Sequence, residues 1–460
     1  MIPKRYLRPG APTAALCEDF TRIREEHHVS VGFPPAVDAA AAEAARTVPS
    51  GDGREDLTGI DFLTIDPPGS RDLDQAMHLE RRDGGFRVRY AIADVGALIP
   101  LGSEVDAEAW RRGQTIYCPD VRALLYPASI SEGAASLLPG ELRAAIVFTI
   151  DLDDTGERTA ATVGRALVES RRQLAYGEAD VPHLEEIGRL RQALARRRGA
   201  IRLEAPAQEV VPDPSTPYGF RVEFEPRRPV EDWNAEISLL AGMVAAELMA
   251  RSGLCLLRTM GGADPYRIDR LRRSAAALGV DWPASEPFAE FVDRLDPSAP
   301  REAALLQEAH GVMGHAGYAV VHGRPAPSQM HAGIGAFYAH TTAPLRRLQD
   351  RFVLDLLVGD GDRQRIERLP DVMAESASRA SQVERAVIDA TEVRLLEHRV
   401  GEVFTAVPLE VGPRGTLLQI AEPPIKARLH DTPAPPLGQP LAVRLTRADP
   451  RARALEFHRV

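Results

Sequence analysis

Apolar spacing divides the chain into segments before any chemistry is considered. Over residues 13–28, Leu16, Phe20 and Ile23 fall on one helical face. A turn through Gly32, Pro34 and Pro35 then leads to an alanine-rich second helix, Val37 to Arg46. That helix is too acidic and small-sided to read DNA well, so the pair reads as a small packing domain before a helix-turn-helix. Ser50 to Arg54 reads as a link.

From Phe86 to Val95 the period changes to two, with Val88, Tyr90 and Ile92 on one face and Arg87 and Arg89 on the other. Ala144 to Leu152 and Ala161 to Glu169 are two more strands, joined across Asp154 and Gly156. Strand-like pieces also occupy Ala200 to Val211 and Phe220 to Phe224. Helical spacing governs Leu184 to Arg198, and Asn234 to Ala250 sets Ile237, Leu240, Ala241, Val244 and Leu248 in one stripe. Helices are predicted at Pro265 to Leu278, Phe288 to Arg294 and Arg301 to Val312, another starting near Pro344, and a long one from Asp371 to His398. Strands early and helices late predict an α+β core. Beyond Val403 five short strand-like runs separated by turns predict a small Greek-key barrel of the OB class. The proline-rich stretch from Thr432 to Leu437 is a loop on it. The expected domains are residues 1–50, 51–398 and 399–460.

With 460 residues the chain exceeds one ordinary core, which agrees with a large domain and small appendages. A net charge of −10 argues against a surface that coats duplex nucleic acid, although it permits a local basic channel. Lys4 and Lys426 are the only lysines, so positive charge is carried by arginine, whose fork suits phosphate. Cys17, Cys118 and Cys255 are widely spaced and odd in number, as in a reduced compartment. No apolar run reaches membrane-spanning length and MIPKRYLRPG lacks a signal-peptide centre, so a cytoplasmic protein with no membrane partner is expected.

Candidate chemistry concentrates in DFLTIDPPGSRDLDQA, Asp61 to Ala76. Pro67, Pro68 and Gly69 force a shaped loop after Asp66. In an extended chain Asp72 and Asp74 point together, and like charges about 5 Å apart repel by roughly 3 kcal/mol at an effective dielectric near 20. A hard cation, magnesium or manganese, removes that penalty. Taken alone, the loop is more readily read as a solvated acidic turn.

Other stretches change that balance. TIDPPGSRDLDQA, YAIADV, RRGQTIYCPD, YPASISEGAASLLPGELR, ESRRQLAYGEA and AHTTAPLRRLQD occur in the order and spacing of one family. Over roughly residues 35–400 the chain resembles the ribonuclease II/R exoribonucleases, with their RNB catalytic domain. The C-terminal barrel falls where that family places its S1-like domain. The resemblance implies a magnesium-dependent hydrolase that shortens single-stranded RNA processively from its 3′ end to nucleoside 5′-monophosphates. It implies metal binding by Asp66, Asp72 and Asp74, with Asp74 the acid most needed for cleavage. The fourth metal position is Gln75, which offers a carbonyl but no charge, so one metal site is expected to be weaker.

Arg346 matches the family's catalytic arginine. Thr342, Pro344 and Arg347 are expected at the RNA backbone, with Pro344 in a first helical turn that favours phosphate. Tyr117 and Tyr176 match base-stacking aromatics, while the aromatic clamp common near Leu203 is missing. Asp94 reads as site support or as a structural acid, and Glu236 as structural, with Gly242 replacing a family asparagine. His310, His315, His322, His331 and His340 lack metal-ligand spacing, with only His340 placed near phosphate. About fifty N-terminal residues cannot hold the family's cold-shock domains, so a more open entrance and a monomer are expected. A catalytically impaired RNA-binding protein is the alternative, motivated by Gln75, and a DNA phosphodiesterase is third.

Overall fold

The computed structural model describes residues 14–177, 180–201, 208–213, 220–224, 228–297, 299–413, 415–420, 425–430 and 433–460. Lys4, Leu203 and parts of the stretches 200–211 and 432–437 lie outside them.

The chain begins with α1 (Ala14–Glu26) and α2 (Pro35–Ala44). A β-barrel follows, built from β1 (Glu55–Asp56), β2 (Phe62–Ile65), β3 (Gln75–Arg82) and β4 (Gly85–Ala93), then, beyond α3 (Glu104–Arg112) and the small hairpin β5 (Ile116–Tyr117) and β6 (Arg122–Ala123), β7 (Leu142–Asp153) and β8 (Arg158–Leu174). Closure depends on the length of β8. Its first part pairs antiparallel with β7 and its last part parallel with β2, so β2, β3, β4, β7 and β8 close on one another. The period-two reading of β4 holds: Val88, Tyr90 and Ile92 are fully buried, whereas Arg87 pairs across the ladder with Asp151 at 2.6 Å.

Helices pack around this barrel. They are α4 (Leu184–Arg197), α5 (Pro229–Ser252), α6 (Pro265–Leu278), α7 (Phe288–Asp293), α8 (Pro300–His310), α9 (Leu348–Leu357) and α10 (Arg363–Leu396). Two strand pairs lie among them: β9 (Gln208–Pro212) with β10 (Phe220–Phe224), and β11 (Leu254–Met260) with β12 (Ala316–His322). The chain ends in a closed barrel of β13 (Val403–Gly412), β14 (Gly415–Ile420), β15 (Ile425–Leu429), β16 (Leu441–Asp449) and β17 (Ala454–Arg459), as the alternation predicts. Phe404 and Phe457 meet edge to face inside it.

Two helix starts differ from the expectation. α10 begins at Arg363, not Asp371, because Asp362 caps it by accepting from Arg365 N at 3.1 Å, and Pro370 is carried inside the helix. α9 begins at Leu348, not near Pro344. Thr115 N donates to Arg346 O and Leu348 N to Gly113 O, both at 2.9 Å, which holds that stretch extended. The N-terminal helices also do more than pack together. Leu16, Phe20 and Ile23 of α1 share a core with Val383 and Val387 of α10 and with Ile116 and Cys118 of the small hairpin. Arg24 clamps the hairpin turn through Asp120, at 2.7 and 2.9 Å. Among the described residues no helix is long and apolar enough to cross a membrane, and the three cysteines are free.

Candidate active site

The acidic loop is fixed residue by residue. β2 ends with Asp66 N donating to Leu174 O at 3.0 Å, and Gly69 turns the chain at a φ of 81°. Leu73 is buried, its N–H held by Ser136 Oγ at 2.9 Å and its carbonyl by Leu137 N at 3.0 Å. Ala93 N reaches Asp74 O at 2.9 Å, which ties the loop to β4. The acids flank Leu73 in nearly extended chain, as their spacing predicts.

The opposing wall is the segment after β12. Ala339 N donates to Gly242 O at 3.1 Å, and a Cβ on Gly242 would lie 2.1 Å from the Tyr338 ring. Glycine at this position lets the wall approach α5. Ala343 N then donates to Asp350 Oδ2 at 2.8 Å, and Leu345 N to Asp74 Oδ1 at 2.7 Å. Arg346 Nε stands 3.1 Å from Asp74 Oδ2. Residues 74 and 346, remote in the chain, thus meet as a half-exposed arginine on a buried carboxylate.

Burial and charge act together on these acids. Burial, opposed by Arg346 and helped by Asp72, pushes the Asp66 carboxyl up to about 6. The same influences push Asp74 up to about 7. Asp66 Oδ2 is buried and hydrogen-bonds to no described residue. Asp72 is engaged by Arg122 at 3.1 Å and by the Tyr117 hydroxyl at 3.4 Å. Among the described residues no three His, Cys, Asp or Glu side chains form a ready-made cage. The donors nevertheless fit magnesium as it is usually held, by one or two carboxylates with water filling the rest of its shell. Asp66 supplies an unused oxygen beside Asp72 and Asp74. Gln75 opens β3 opposite Ile92, half-buried, and its amide bonds to no described residue.

The sign of the pH effect follows. Carboxyls raised above their ordinary 3.8 stabilise the fold below that pH, and the contribution is lost as pH rises through 6 and 7. A cation replaces the lost protons. We expect millimolar magnesium to raise the melting temperature by about 2 °C at pH 8 and not at pH 5.5. An equal shift at both values, in matched thermal scans, would contradict this.

The remaining candidates divide. Tyr117 lies in the β5–β6 hairpin opposite Arg122, which sequence reasoning missed because only the hairpin register pairs the two. Tyr176 follows β8 just past Leu174 and packs half-buried on the main core. Arg347 differs from its expected place at phosphate. Its guanidinium forks onto buried Asp350 at 2.9 and 2.5 Å, so its charge is engaged inside the wall. Thr342 and Pro344 are buried in that wall. Asp94 caps a short turn through Ala97 N and holds Arg54 at 2.7 Å, a structural task. Glu236 is fully buried on α5, where its charge acts on Arg191. The histidines are dispersed: His310 bonds Leu306 O, His322 pairs with Glu367, and His340 bonds Tyr318.

The family model for the RNB domain matches residues 54–358, most of the chain. The chain belongs to the RNB-domain family. A second model, the RNase II-type exonuclease C-terminal S1 domain, matches residues 402–460, the closed terminal barrel. Ribonuclease R of Thermotoga maritima is 24% identical over 420 residues, which cover 82% of this chain and 58% of that protein. The chain thus spans little more than half the length of such a relative. Mycoplasma genitalium RNase R, solved with ribose-methylated single-stranded RNA, superposes with a TM-score of 0.86 at 19% identity over 97% of this chain and 78% of that one. Yeast Ssd1, described as a pseudonuclease, superposes with a TM-score of 0.67 at 18% identity, over 90% of this chain and 54% of its own. These likenesses establish the RNB fold and the S1-type barrel.

Proposed function

We propose that this protein is a metal-dependent 3′-to-5′ exoribonuclease that shortens single-stranded RNA processively to nucleoside 5′-monophosphates. The observation that carries the reading is the Asp74–Arg346 pair, 3.1 Å apart beside Asp66 and Asp72. In this reading Asp66, Asp72 and Asp74 hold magnesium, or manganese, with Gln75 lending its carbonyl. The bound cation supplies an activated water and a clamp on the leaving oxygen. Arg346 steadies the scissile phosphate as its negative charge grows. Tyr117 and Arg122 keep Asp72 oriented. Tyr117 and Tyr176 offer rings to bases, each stack worth about 1–3 kcal/mol and tolerant of sequence. Thr342, Pro344 and Arg347 act from inside the wall that presents Arg346. The test is an end-labelled single-stranded RNA incubated with magnesium or with EDTA. Stepwise shortening to mononucleotides that stops in EDTA supports the reading, and equal degradation of the matching DNA overturns its RNA specificity.

The uncharged Gln75 favours a second reading, in which the protein holds RNA without cutting it. Retention without shortening in the same assay supports it. If the first reading holds, Gln75→Asp lowers the magnesium concentration for half-maximal activity by about tenfold, since added ligand charge tightens a hard-cation site. An unchanged magnesium titration would remove Gln75 from the metal site.

A further inference from the structure

Arg258 on β11 stands opposite Tyr318 on β12, its guanidinium carbon 4.6 Å from the ring centre. Its backbone N–H donates to Tyr338 O at 2.8 Å, which pins the strand to the segment leading to Arg346. The Tyr318 hydroxyl hydrogen-bonds His340 Nδ1 at 2.8 Å, and His340 O accepts from Gln349 Nε2 at 3.3 Å. Tyr338 and Ala339 are buried, whereas Arg258, Tyr318 and His340 keep partly exposed edges.

Neighbouring arginines have their own carboxylates: Arg346 has Asp74, Arg347 has Asp350, and Arg351 has Asp106. Arg258 makes no ion pair or side-chain hydrogen bond with any described residue, and its one printed side-chain contact is the aromatic face. A half-buried cation without a counter-ion is costly, and the ring offsets only part of that cost. A planar fork fixed on a ring with its donor edges unused matches the geometry of phosphate. We propose that Arg258 binds a backbone phosphate of the RNA strand as it approaches Arg346, with the Tyr318–His340 pair setting the angle of the ring beneath it. The proposal rests on the ribonuclease reading.

The test is the affinity for a single-stranded oligoribonucleotide, measured in EDTA so that it stays intact, across a range of salt concentrations. Arg258→Met keeps the packing on Tyr318 and removes the charge, and Arg258→Lys restores a charge. With Arg258→Met we expect binding about tenfold weaker at low salt and a log-affinity slope against log salt shallower by about 0.7, the value for one lost phosphate contact on a single strand. Arg258→Lys should recover the wild-type slope. A slope in Arg258→Met equal to wild type, whatever the affinity, overturns the proposal and leaves Arg258 as packing. A wild-type protein that binds no RNA sinks the ribonuclease reading, and this one with it.

Discussion

Asp74→Asn reduces stepwise RNA shortening by at least about a thousandfold and leaves the fold standing. The carboxylate sits where three tasks meet: it accepts from Leu345 N at 2.7 Å, pairs with Arg346 at 3.1 Å, and faces Asp66 and Asp72 through the low-dielectric floor. Asparagine keeps an acceptor for Leu345, so the wall stays docked. It removes an acid that burial has already raised to about 7, so stability at pH 8 is retained or gained. Charge is what disappears: a hard cation loses a ligand, and Arg346 loses the partner that aims it. Affinity for RNA measured in EDTA holds or improves, because a negative group near the phosphates is gone. Shortening at the wild-type rate, in a time course with magnesium, would move the chemistry away from this loop.

Arg346→Ala lowers turnover by about a hundredfold to a thousandfold while RNA affinity changes by only a few-fold. The guanidinium matters most when the phosphate carries its greatest charge, so the loss falls on turnover. A second readout separates this role from a merely structural one. Arg346 pulls the Asp66 and Asp74 carboxyls down against the effect of burial. Without it both rise further, and residual activity shifts to higher pH. Equal losses in binding and turnover with an unmoved pH profile would contradict the assignment. Arg346→Lys recovers little, since a point charge cannot keep both the Asp74 contact and a fork toward phosphate.

Arg347 illustrates where reasoning along the chain falls short. Beside Arg346 in sequence, it reads equally well as a phosphate contact. Its side chain instead closes on Asp350, three residues ahead, and the pair is buried. Which of two adjacent arginines faces outward is set by the pairing of Gly113 to Thr115 with Arg346 to Leu348, and nothing in the local pattern announces that pairing. Pro344 misled in the same way. Proline suits a first helical turn, yet these backbone bonds keep the segment extended until Leu348. Arg122 and Arg258 were passed over because each gains meaning only from a partner across a strand pair.

The sequence by itself determined the alternation of the barrel strands, the stripe on α5, the five-strand terminal barrel and the kinship that singles out Asp66, Asp72, Asp74 and Arg346. These are properties of local periodicity or of spacing along the chain, which survive without coordinates. Tertiary structure alone decided the closing of the first barrel by the two ends of β8, the seating of α1 behind the Tyr117 hairpin, and the meeting of Asp74 with Arg346. It also decided the raised carboxyls of Asp66 and Asp74, because desolvation depends on everything packed around a group, and residues distant along the chain supply most of that packing.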